Sequence, residues 1–401
     1  MILESVIRKV VKSQKERLDR TETGLLREQK IKIKSISSHA LIIAGVRRCG
    51  KSTLLHQYIK KTKNSFYLNF ETPLLYGFSI TDFERLDRII LSENASWLFF
   101  DEIQIIDGWE RYARQKLDEN YKVIITGSNA TLLSKELGTK LTGRHLLQEL
   151  FPFSYTEFLQ FKTLPNGYES FSQYMNLGGF PDFLKSNDIE QLQQLFQDLI
   201  IRDIVVRHGI KDIKNLQLIT QFLISNVGNR ITANKLKKSY SISATSTLTK
   251  WFSYLEDAYL ISFLPMYKPS LRAQSINPHK VYAIDTGMVQ AVSNKLQKDL
   301  GHILENLVFL HLRRKHQSLY YFDEKGECDF IAFDRKKVVA IVQVCYELNQ
   351  ENLPRELRGI TDAMAYFKKD QAVIITADQT DVIHENGKTI NVIPAYEYFL
   401  A

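Results

Sequence analysis

The feature that most constrains the fold of this chain is a short loop bounded by two glycines near its start. The sequence Gly45-Val46-Arg47-Arg48-Cys49-Gly50-Lys51-Ser52 fits the pattern G-x-x-x-x-G-K-[ST]. An apolar run over residues 41–44 precedes the loop and an amphipathic run over residues 53–61 follows it. This is the strand–loop–helix setting that the pattern requires. The loop therefore predicts a phosphate-binding turn, with a glycine-rich turn beside a basic patch as the plainer alternative.

The chemistry of such a loop assigns roles to its residues. Its glycines let backbone N–H groups turn inward around phosphates, and the positive end of the next helix adds to the attraction. Lys51 is expected to reach the β- and γ-phosphates, and Ser52 to bind Mg²⁺. The predicted nucleotide-binding residues are Gly45, Val46, Arg47, Arg48, Cys49, Gly50, Lys51, Ser52 and Thr53.

A second motif places two carboxylates at the end of an apolar run. Four apolar residues, Trp97 to Phe100, precede Asp101 and Glu102. In open α/β sheets, ligands bind at the carboxyl ends of the strands. Asp101 is expected to hold Mg²⁺ through water and Glu102 to polarise the attacking water, which favours hydrolysis over a kinase reaction. Adjacent residues on a regular strand point to opposite faces, so the two roles require a local distortion there. The plainer interpretation is two solvated acids at a strand end.

A third apolar run ends in small polar residues. Residues 123–127 read as a strand, and Ser128 and Asn129 follow it. Asn129, or its neighbour Ser128, is expected to contact the γ-phosphate and the attacking water, with a simple turn as the alternative. Residues 41–150 alternate such runs with amphipathic stretches, which predicts a mainly parallel sheet covered by helices on both faces.

Composition bounds the class of protein. The chain has 401 residues, 44% of them hydrophobic and 24% charged, which is ordinary for two or three globular domains. It has no apolar run long enough for a spanning helix and no secretory pattern at its start. Its three cysteines show no disulfide or zinc spacing. We therefore expect a cytoplasmic protein without a membrane partner.

The net charge of +8 is concentrated at the start of the chain. Residues 1–40 contain ten basic and five acidic residues, which contribute +5. A basic surface suits nucleic acid or an anionic membrane, whereas the plainer interpretation is the solvated face of an amphipathic helix.

The three motifs, in this order, resemble the AAA+ branch of P-loop ATPases. The stretches downstream look like a prokaryotic AAA-type ATPase family with a C-terminal domain of unknown function, and the resemblance covers roughly residues 15–400. The matching stretches are Leu141-Thr142-Gly143-Arg144, Leu150–Phe158, Gly178-Gly179-Phe180-Pro181, Arg202-Asp203 and Leu304–Val308. The resemblance implies that Arg144 is an arginine finger acting on the nucleotide of a neighbouring subunit, hence a homo-oligomer. The alternative for Arg144 is a structural ion pair.

The middle of the chain reads as a winged helix. Residues 231–236 predict a short helix, and Thr245–Asp257 a second one with Leu248, Phe252 and Leu255 inward. Small polar residues and lysines at the start of a second helix suit phosphate and groove contacts. The expected open-face residues are Lys235, Lys237, Lys238, Ser246, Thr247 and Lys250. A protein-docking module is the rival interpretation.

The C-terminal part resembles the PD-(D/E)XK nuclease fold in the order of its polar residues. Glu305 lies in a predicted helix, Asp329 follows a turn, and Gln343 and Cys345 end a strand. In that fold a lysine occupies the place of Cys345, and a metal requires charged oxygens that Gln343 does not offer. The resemblance thus implies an inactive, binding-only domain unless another lysine, Lys325 or Lys337, takes the role. His311 and His316 are expected to be exposed helix residues.

Together these features predict an α/β protein of four parts. They are an AAA-type P-loop core with a basic N-terminal helix (1–160), a helical lid (161–205), a winged helix (206–270) and a nuclease-like α/β domain (271–401). The expected function is ATP hydrolysis with Mg²⁺, coupled to DNA binding. The alternative is a nucleotide-dependent switch that docks a protein partner without binding DNA.

Overall fold

A computed structural model describes residues 1–28, 38–127, 143–293 and 299–400. The chain divides into two compact units, Met1–Phe151 and Pro152–Ala401. The predicted Asn129, Ser128 and the start of the Leu141–Arg144 stretch lie outside the described residues.

The first unit is a parallel β-sheet flanked by helices, as the alternating apolar runs predict. Its helices are α1 (Glu4–Arg20), α2 (Lys51–Ile59), α3 (Phe83–Ser92) and α4 (Trp109–Asp118), and its strands are β1 (Ala40–Ala44), β2 (Ser65–Asn69), β3 (Trp97–Asp101), β4 (Lys122–Gly127) and β5 (His145–Glu149). Within the described ranges the strand order is β2-β3-β4-β1-β5, and every neighbouring pair is parallel. Every residue of β1 is buried, which is typical of a parallel sheet covered on both faces.

The strand register brings four carboxyl ends to one edge of this sheet. Ala44 of β1 lies opposite Gly127 of β4, and Thr126 lies opposite Asp101 of β3. Asp101 in turn lies opposite Asn69 at the end of β2. The loop after β1 and the carboxylates after β3 therefore share one edge of the sheet, with β4 between them.

The second unit combines helices with two small sheets. Its helices are α5 (Tyr155–Lys162), α6 (Tyr168–Leu177), α7 (Pro181–Ser186), α8 (Ile189–Asp198), a π-helical continuation (Leu199–Val206), α9 (Ile213–Ser225), α10 (Ala233–Ser239), α11 (Thr245–Asp257), α12 (Leu271–Ile276), α13 (Thr286–Val292), α14 (Leu300–Lys315), α15 (Leu353–Phe367) and α16 (Ala395–Tyr398). Its strands are β6 (Arg230–Ile231), β7 (Ile261–Leu264), β8 (His279–Ala283), β9 (Ser318–Asp323), β10 (Glu327–Asp334), β11 (Lys337–Val344), β12 (Gln371–Thr376), β13 (Asp381–Glu385) and β14 (Lys388–Pro394).

The two sheets of this unit differ in size and direction. The smaller sheet is antiparallel with the order β6-β8-β7. The larger sheet has the order β13-β14-β12-β11-β10-β9, in which the pairs β11–β12 and β12–β14 are parallel and the others antiparallel. Its apolar residues pack with α15 into one core cluster around Ile331, Ile360 and Ile374.

Two expectations about side chains in the second unit are wrong. Trp251, not Phe252, takes the buried position between Leu248 and Leu255 on α11, because the side chains at 248, 251 and 255 follow the three-and-four spacing of a helix face. His311 is buried within α14 instead of exposed, because its ring packs against Tyr398 and Phe399. Among the described residues, no helix is long and apolar enough to cross a membrane.

Candidate functional site

The predicted phosphate loop lies between β1 and α2 and has a left-handed backbone at two positions. Gly50 has φ 101° and Arg48 has φ 64°, conformations that glycine adopts freely and arginine rarely. Lys51 begins α2 and is only 5% exposed. Its Nζ donates to the carbonyl oxygens of Gly45 at 2.8 Å and Val46 at 2.9 Å. The ammonium thus bends back across the loop, where an incoming phosphate would compete with these carbonyls.

Arg27, a buried residue that no sequence motif indicated, holds this loop in place. Arg27 donates from Nη1 to the carbonyl oxygen of Cys49 at 2.8 Å and from Nη2 to that of Phe151 at 2.7 Å. The segment that carries it runs beside α2, where Gln57 donates to the carbonyls of Thr23 and Leu25. Arg27 therefore ties the loop to the segment that leaves β5. No motif indicated this, because the two partners are backbone atoms distant in sequence.

Asp101 is fully buried at the end of β3 and held by three donors. The Tyr67 hydroxyl donates to its Oδ2 at 3.2 Å and Asn69 Nδ2 to the same oxygen at 3.1 Å, while Thr126 donates to Oδ1. Tyr67 and Asn69 belong to β2 and Thr126 to β4, the two strands that flank β3. Polar residues at the carboxyl ends of neighbouring strands were the signal that could have indicated them.

The backbone at Glu102 has the local distortion that the predicted role of this residue requires. Its backbone is left-handed, with φ 54° and ψ 33°, so the pleat of β3 ends after Asp101. Gln104 Nε2 donates to Glu102 Oε2. Burial raises the pKa of the Glu102 carboxyl, and the ammonium of Lys51 opposes this rise. The two carboxylates are therefore adjacent in sequence but lie in different environments.

The carboxylates fit a magnesium ion that is held through water. A carboxylate accepts about four hydrogen bonds, and among the described residues three donors contact Asp101, which leaves room for about one more donor. Among the residues that the structure describes, no hydrogen-bond partner reaches the buried Gln104 Oε1 beside Glu102, which marks a place where a water or ligand would be bound. Asp101 and Ser52 would hold the ion, which would supply a positive charge for the phosphates.

Arg144 lies at the opposite edge of the sheet from the phosphate loop. Its carbonyl oxygen accepts from Ala40 N at the start of β1, and its Nη1 pairs with Asp118 Oδ1 at 2.6 Å. Strand β1 has five residues, so at about 3.3 Å per residue the two edges are roughly 15 Å apart. Arg144 therefore does not reach the loop of its own chain, and action on a neighbouring subunit stays a prediction.

A second cluster of charged residues lies in the second unit. The structure brings Glu305 of α14 and Asp329 of β10 together, but through a lysine that the sequence analysis did not single out. Lys280 Nζ lies 2.8 Å from Glu305 Oε1, 2.7 Å from Asp329 Oδ1 and 2.6 Å from Glu327 Oε1. Lys280 belongs to β8, earlier in sequence than the segment where a lysine was expected, which is why no motif pointed to it.

Gln343 and Cys345 lie beside this cluster. Gln343 Oε1 accepts from Asp329 N at 3.2 Å, and its Nε2 donates to Glu356 Oε2 at 2.6 Å. A cavity of about 570 Å³ opens above the cluster, and Cys345 and Lys325 line it. Lys325 is exposed at the rim, and Lys337 is not among the lining residues. In the part of the chain that the structure describes, no group of three or more His, Cys, Asp or Glu residues is arranged to hold a metal ion.

Three family models match the chain. Residues 37–159 match an AAA domain, residues 168–299 match a domain of unknown function (DUF8612), and residues 300–398 match another (DUF4143). The first match covers the phosphate loop, both carboxylates and all five strands of the parallel sheet. The parallel sheet of the first unit thus lies within a segment that matches an AAA domain.

Two relatives match over nearly their whole length. The chain belongs to the family of "Uncharacterized protein MJ1544" of Methanocaldococcus jannaschii, with 34% identity over 403 residues that cover 92% of this chain and 90% of that protein. An "Uncharacterized protein" of Haemophilus influenzae is 30% identical over 369 residues, covering 85% of this chain and 90% of its own.

Solved structures resemble the chain only distantly. AMPPCP-bound DnaA from Aquifex aeolicus gives a TM-score of 0.27 at 15% identity, covering 64% of this chain and 89% of its own. Caenorhabditis elegans PCH-2 gives 0.24 at 13% identity, covering 63% and 66%. Both scores lie far below 0.5, so neither likeness supports an argument about fold or function.

Proposed function

We propose that the chain binds ATP with Mg²⁺ and hydrolyses it at the carboxyl edge of the parallel sheet. One observation carries the proposal: the loop that holds Lys51 shares this edge with the adjacent Asp101 and Glu102, whose backbone turn separates their two roles. Lys51 exchanges its carbonyl partners for the β- and γ-phosphates. Asp101 orders the water around the metal with Ser52, and Glu102 accepts a proton from the attacking water.

ATP binding and hydrolysis by single-residue variants test this assignment. Lys51→Ala removes a charge that points at phosphate, and charge-assisted hydrogen bonds contribute about 1.5–3 kcal/mol, so ATP affinity should fall at least about tenfold. Glu102→Gln keeps the shape of the side chain but removes its ability to accept a proton. Loss of a general base lowers the rate about 10²–10⁴-fold. It should therefore bind ATP normally and turn over slowly.

Matched controls separate these effects from general damage. Lys61→Ala changes an exposed lysine just after α2, and Glu84→Gln changes an exposed glutamate on α3. Both controls should retain the wild-type affinity and rate. A wild-type hydrolysis rate in Glu102→Gln would show that Glu102 does not accept the proton.

The second part of the proposal couples hydrolysis to DNA. The order α9, β6, α10, α11, β7, α12, β8 supports the winged-helix interpretation, with β8 between the other two strands, although α12 and β8 lie beyond residue 270. Lys235 and Lys238 on α10 and Ser246 and Lys250 on α11 are exposed. Lysines and a hydroxyl at these places suit phosphate contacts along a groove.

Salt dependence distinguishes DNA binding from protein docking. Each phosphate contact adds about 0.9 to the slope of log affinity against log salt. A variant with Lys235, Lys238 and Lys250 changed to Ala should lower that slope by roughly 2–3. A control with the exposed Lys61, Lys63 and Lys185 changed to Ala should leave the slope unchanged. A wild-type chain that binds no duplex, branched or single-stranded DNA would favour the alternative, a nucleotide-dependent switch that docks a protein partner.

The remaining parts of the proposal concern assembly and the end of the chain. The chain works as a homo-oligomer in which Arg144 contacts the nucleotide of a neighbouring subunit. The nuclease-like part has Gln343 and Cys345 in place of charged groups, and it binds DNA or a protein partner without cleaving DNA. The parts 1–160, 161–205, 206–270 and 271–401 are proposed as its functional divisions.

A further inference from the structure

The charged cluster of the second unit has an ammonium at its centre. The Nζ of Lys280 lies 2.6–2.8 Å from one oxygen each of Glu305, Glu327 and Asp329. The Lys280 side chain is 3% exposed, and those of Glu305 and Asp329 are each 8% exposed. Carboxylate oxygens are also the ligands that divalent cations take in proteins, but here an ammonium lies between them, and no group of three or more His, Cys, Asp or Glu among the described residues is arranged to hold a metal ion itself.

The hydrogen-bonding capacity of Lys280 is fully used in this cluster. An ammonium has three donors and no acceptor, and three carboxylate oxygens lie within hydrogen-bonding distance of it. A lysine that helps to cleave a phosphodiester needs a donor directed at the phosphate or the water. With its three donors occupied, Lys280 offers none without breaking a buried ion pair.

The carboxylates are held by other donors as well. Tyr282, two residues after Lys280 on the same face of β8, donates to Glu305 Oε1 at 2.6 Å. Val344 N donates to Asp329 Oδ2 at 2.9 Å, and Arg230 donates to the second oxygen of Glu327. The oxygens that face Lys280 are therefore fixed in place.

The strand pairing shows that the cations and carboxylates depend on each other. Arg230 of β6 lies directly opposite Lys280 of β8, and like charges at opposite positions of a sheet destabilise it by themselves. Both cations reach carboxylates of β10, in the larger sheet. Lys280 and Arg230 can therefore occupy opposite positions of the sheet because carboxylates contact both of them.

We propose that the ammonium of Lys280 occupies the position that a divalent metal ion would take between Glu305, Glu327 and Asp329. These three carboxylates bind a metal ion only when the ammonium is removed. The oxygen distances favour larger ions. Calcium binds oxygen at about 2.3–2.6 Å and magnesium at about 2.0–2.1 Å, whereas the carboxylate oxygens lie 2.6–2.8 Å from Nζ. Ca²⁺ requires the smaller contraction and is the first probe, with Mn²⁺ as the spectroscopic one.

The test removes the ammonium and measures metal binding in the nucleotide-free chain. All proteins carry Asp101→Asn, which removes the carboxylate at the other candidate metal site. The parent protein, which carries Asp101→Asn and keeps Lys280, should bind no Mn²⁺ by electron paramagnetic resonance. Its melting temperature should not rise with Ca²⁺. Lys280→Met should bind Mn²⁺, and its melting temperature should rise roughly 5–10 °C at a Ca²⁺ concentration about a hundred times the dissociation constant.

Two controls assign the binding to this cluster. Lys325→Met removes an exposed lysine that lines the same cavity and should behave as the parent. Lys280→Met with Asp329→Asn should lose the gained Mn²⁺ binding, because one of the three oxygens becomes an amide. If Lys280→Met does not fold, Lys280→Met with Glu327→Gln reduces the uncompensated charge and should still bind Mn²⁺ at least about tenfold more tightly than the parent.

Three results would overturn the proposal. One is Mn²⁺ binding by the chain with intact Lys280 that disappears in Asp329→Asn. The second is a folded Lys280→Met chain, or its Glu327→Gln derivative, that binds no metal. The third is Mg²⁺-dependent DNA cleavage by the wild-type chain that is lost in Lys280→Met, since that would make Lys280 a catalytic lysine. None of these results depends on ATP hydrolysis by the first unit.

Discussion

At the scale of single residues, the candidate nucleotide site depends on side chains that hold other groups in place. The Lys51 side chain folds back over the loop and donates to the carbonyl oxygen of Gly45. Arg27 holds the loop by donating to the carbonyl oxygen of Cys49. Asp101 is enclosed by three donors, whereas Glu102 turns away from it on a left-handed backbone. The expected roles of these groups differ because their surroundings differ, although two of them are neighbours in sequence.

Arg27 should matter for nucleotide binding without touching the nucleotide. Arg27→Met removes two hydrogen bonds to backbone carbonyls, and bonds from a charged donor contribute about 1.5–3 kcal/mol each. We expect ATP affinity to fall about tenfold, because the loop is no longer held in one shape. Titration with a fluorescent ATP analogue measures this. Arg20→Met, at an exposed arginine that ends α1, is the control, and equal affinities in the two variants would show that Arg27 does not position the loop.

The surroundings of Glu102 predict the acid limb of the pH–rate profile. Burial raises the pKa of this carboxyl, and only its ionised form can accept a proton from water. Hydrolysis should therefore decline as the pH falls through a pKa above 4.5, the ordinary value for glutamate. Single-turnover rates between pH 4.5 and 8, chosen as roughly the range that brackets a raised carboxyl pKa, measure this. The residual rate of Glu102→Gln should lack that limb, and an unchanged limb in this variant would assign it to another group.

At the scale of elements, the loop and the strands depend on close backbone contacts. Gly45 directly follows β1 and Leu150 directly follows β5, and Leu150 N donates to Ala44 O at 2.7 Å across this junction. A Cβ added at Gly45 would lie 2.1 Å from the carbonyl oxygen of Leu150. Packing alone thus requires a glycine at the first position of the loop.

Gly45→Ala should therefore destabilise the first unit. Forcing a methyl group against backbone costs about 1–3 kcal/mol, which corresponds to a decrease in melting temperature of roughly 3–12 °C for a unit of this size. Thermal unfolding followed by circular dichroism measures it. Gly167→Ala is the comparison, because nothing lies within 4 Å of the added Cβ there. Equal melting temperatures in the two variants would contradict this account of Gly45.

At the scale of the whole molecule, the position of Arg144 makes assembly testable. Its guanidinium pairs with Asp118 at the amino edge of the sheet, far from the loop of its own chain. An arginine finger at this place has to act on the nucleotide of another subunit. The ion pair with Asp118 by itself is the alternative, and exposed pairs of this kind contribute only about 0–1 kcal/mol.

Mixing two variants distinguishes an arginine finger at Arg144 from a structural ion pair with Asp118. Arg144→Ala should bind ATP but lose at least about 10³-fold in hydrolysis rate, the lower end of what an arginine finger contributes. Lys51→Ala should lose binding. A mixture should recover part of the activity, because some interfaces pair an intact Lys51 with an intact Arg144. Asp118→Ala is the control for the ion pair and should keep the wild-type rate, whereas a fully active monomer at high dilution would contradict the assignment.

Local patterns in the sequence were sufficient to predict the parallel sheet and the core of the candidate site. The apolar runs predicted over residues 41–44, 97–100 and 123–127 became β1, β3 and β4, and the helix predicted over Thr245–Asp257 has those bounds in the structure. Strands β5, β6, β7, β13 and β14 were missed. Strands β5 and β13 contain no buried residue and β6 has only two residues, so no long apolar run marks these three. The sequence predicted these features because a phosphate loop, a buried strand and a helix face are each encoded by residues that are close along the chain.

Only the tertiary structure decided which distant side chains meet. Arg27 and Phe151 are 124 positions apart, and Lys280 and Asp329 are 49 apart. No spacing rule connects such pairs, since their contact depends on how strands and helices pack after they have formed. The same reason explains His311, which a helix pattern alone places on the surface and which the rings of Tyr398 and Phe399 bury. The sequence thus determined which residues lie at the carboxyl edge of the parallel sheet, and packing determined the lysine at the centre of the acidic cluster.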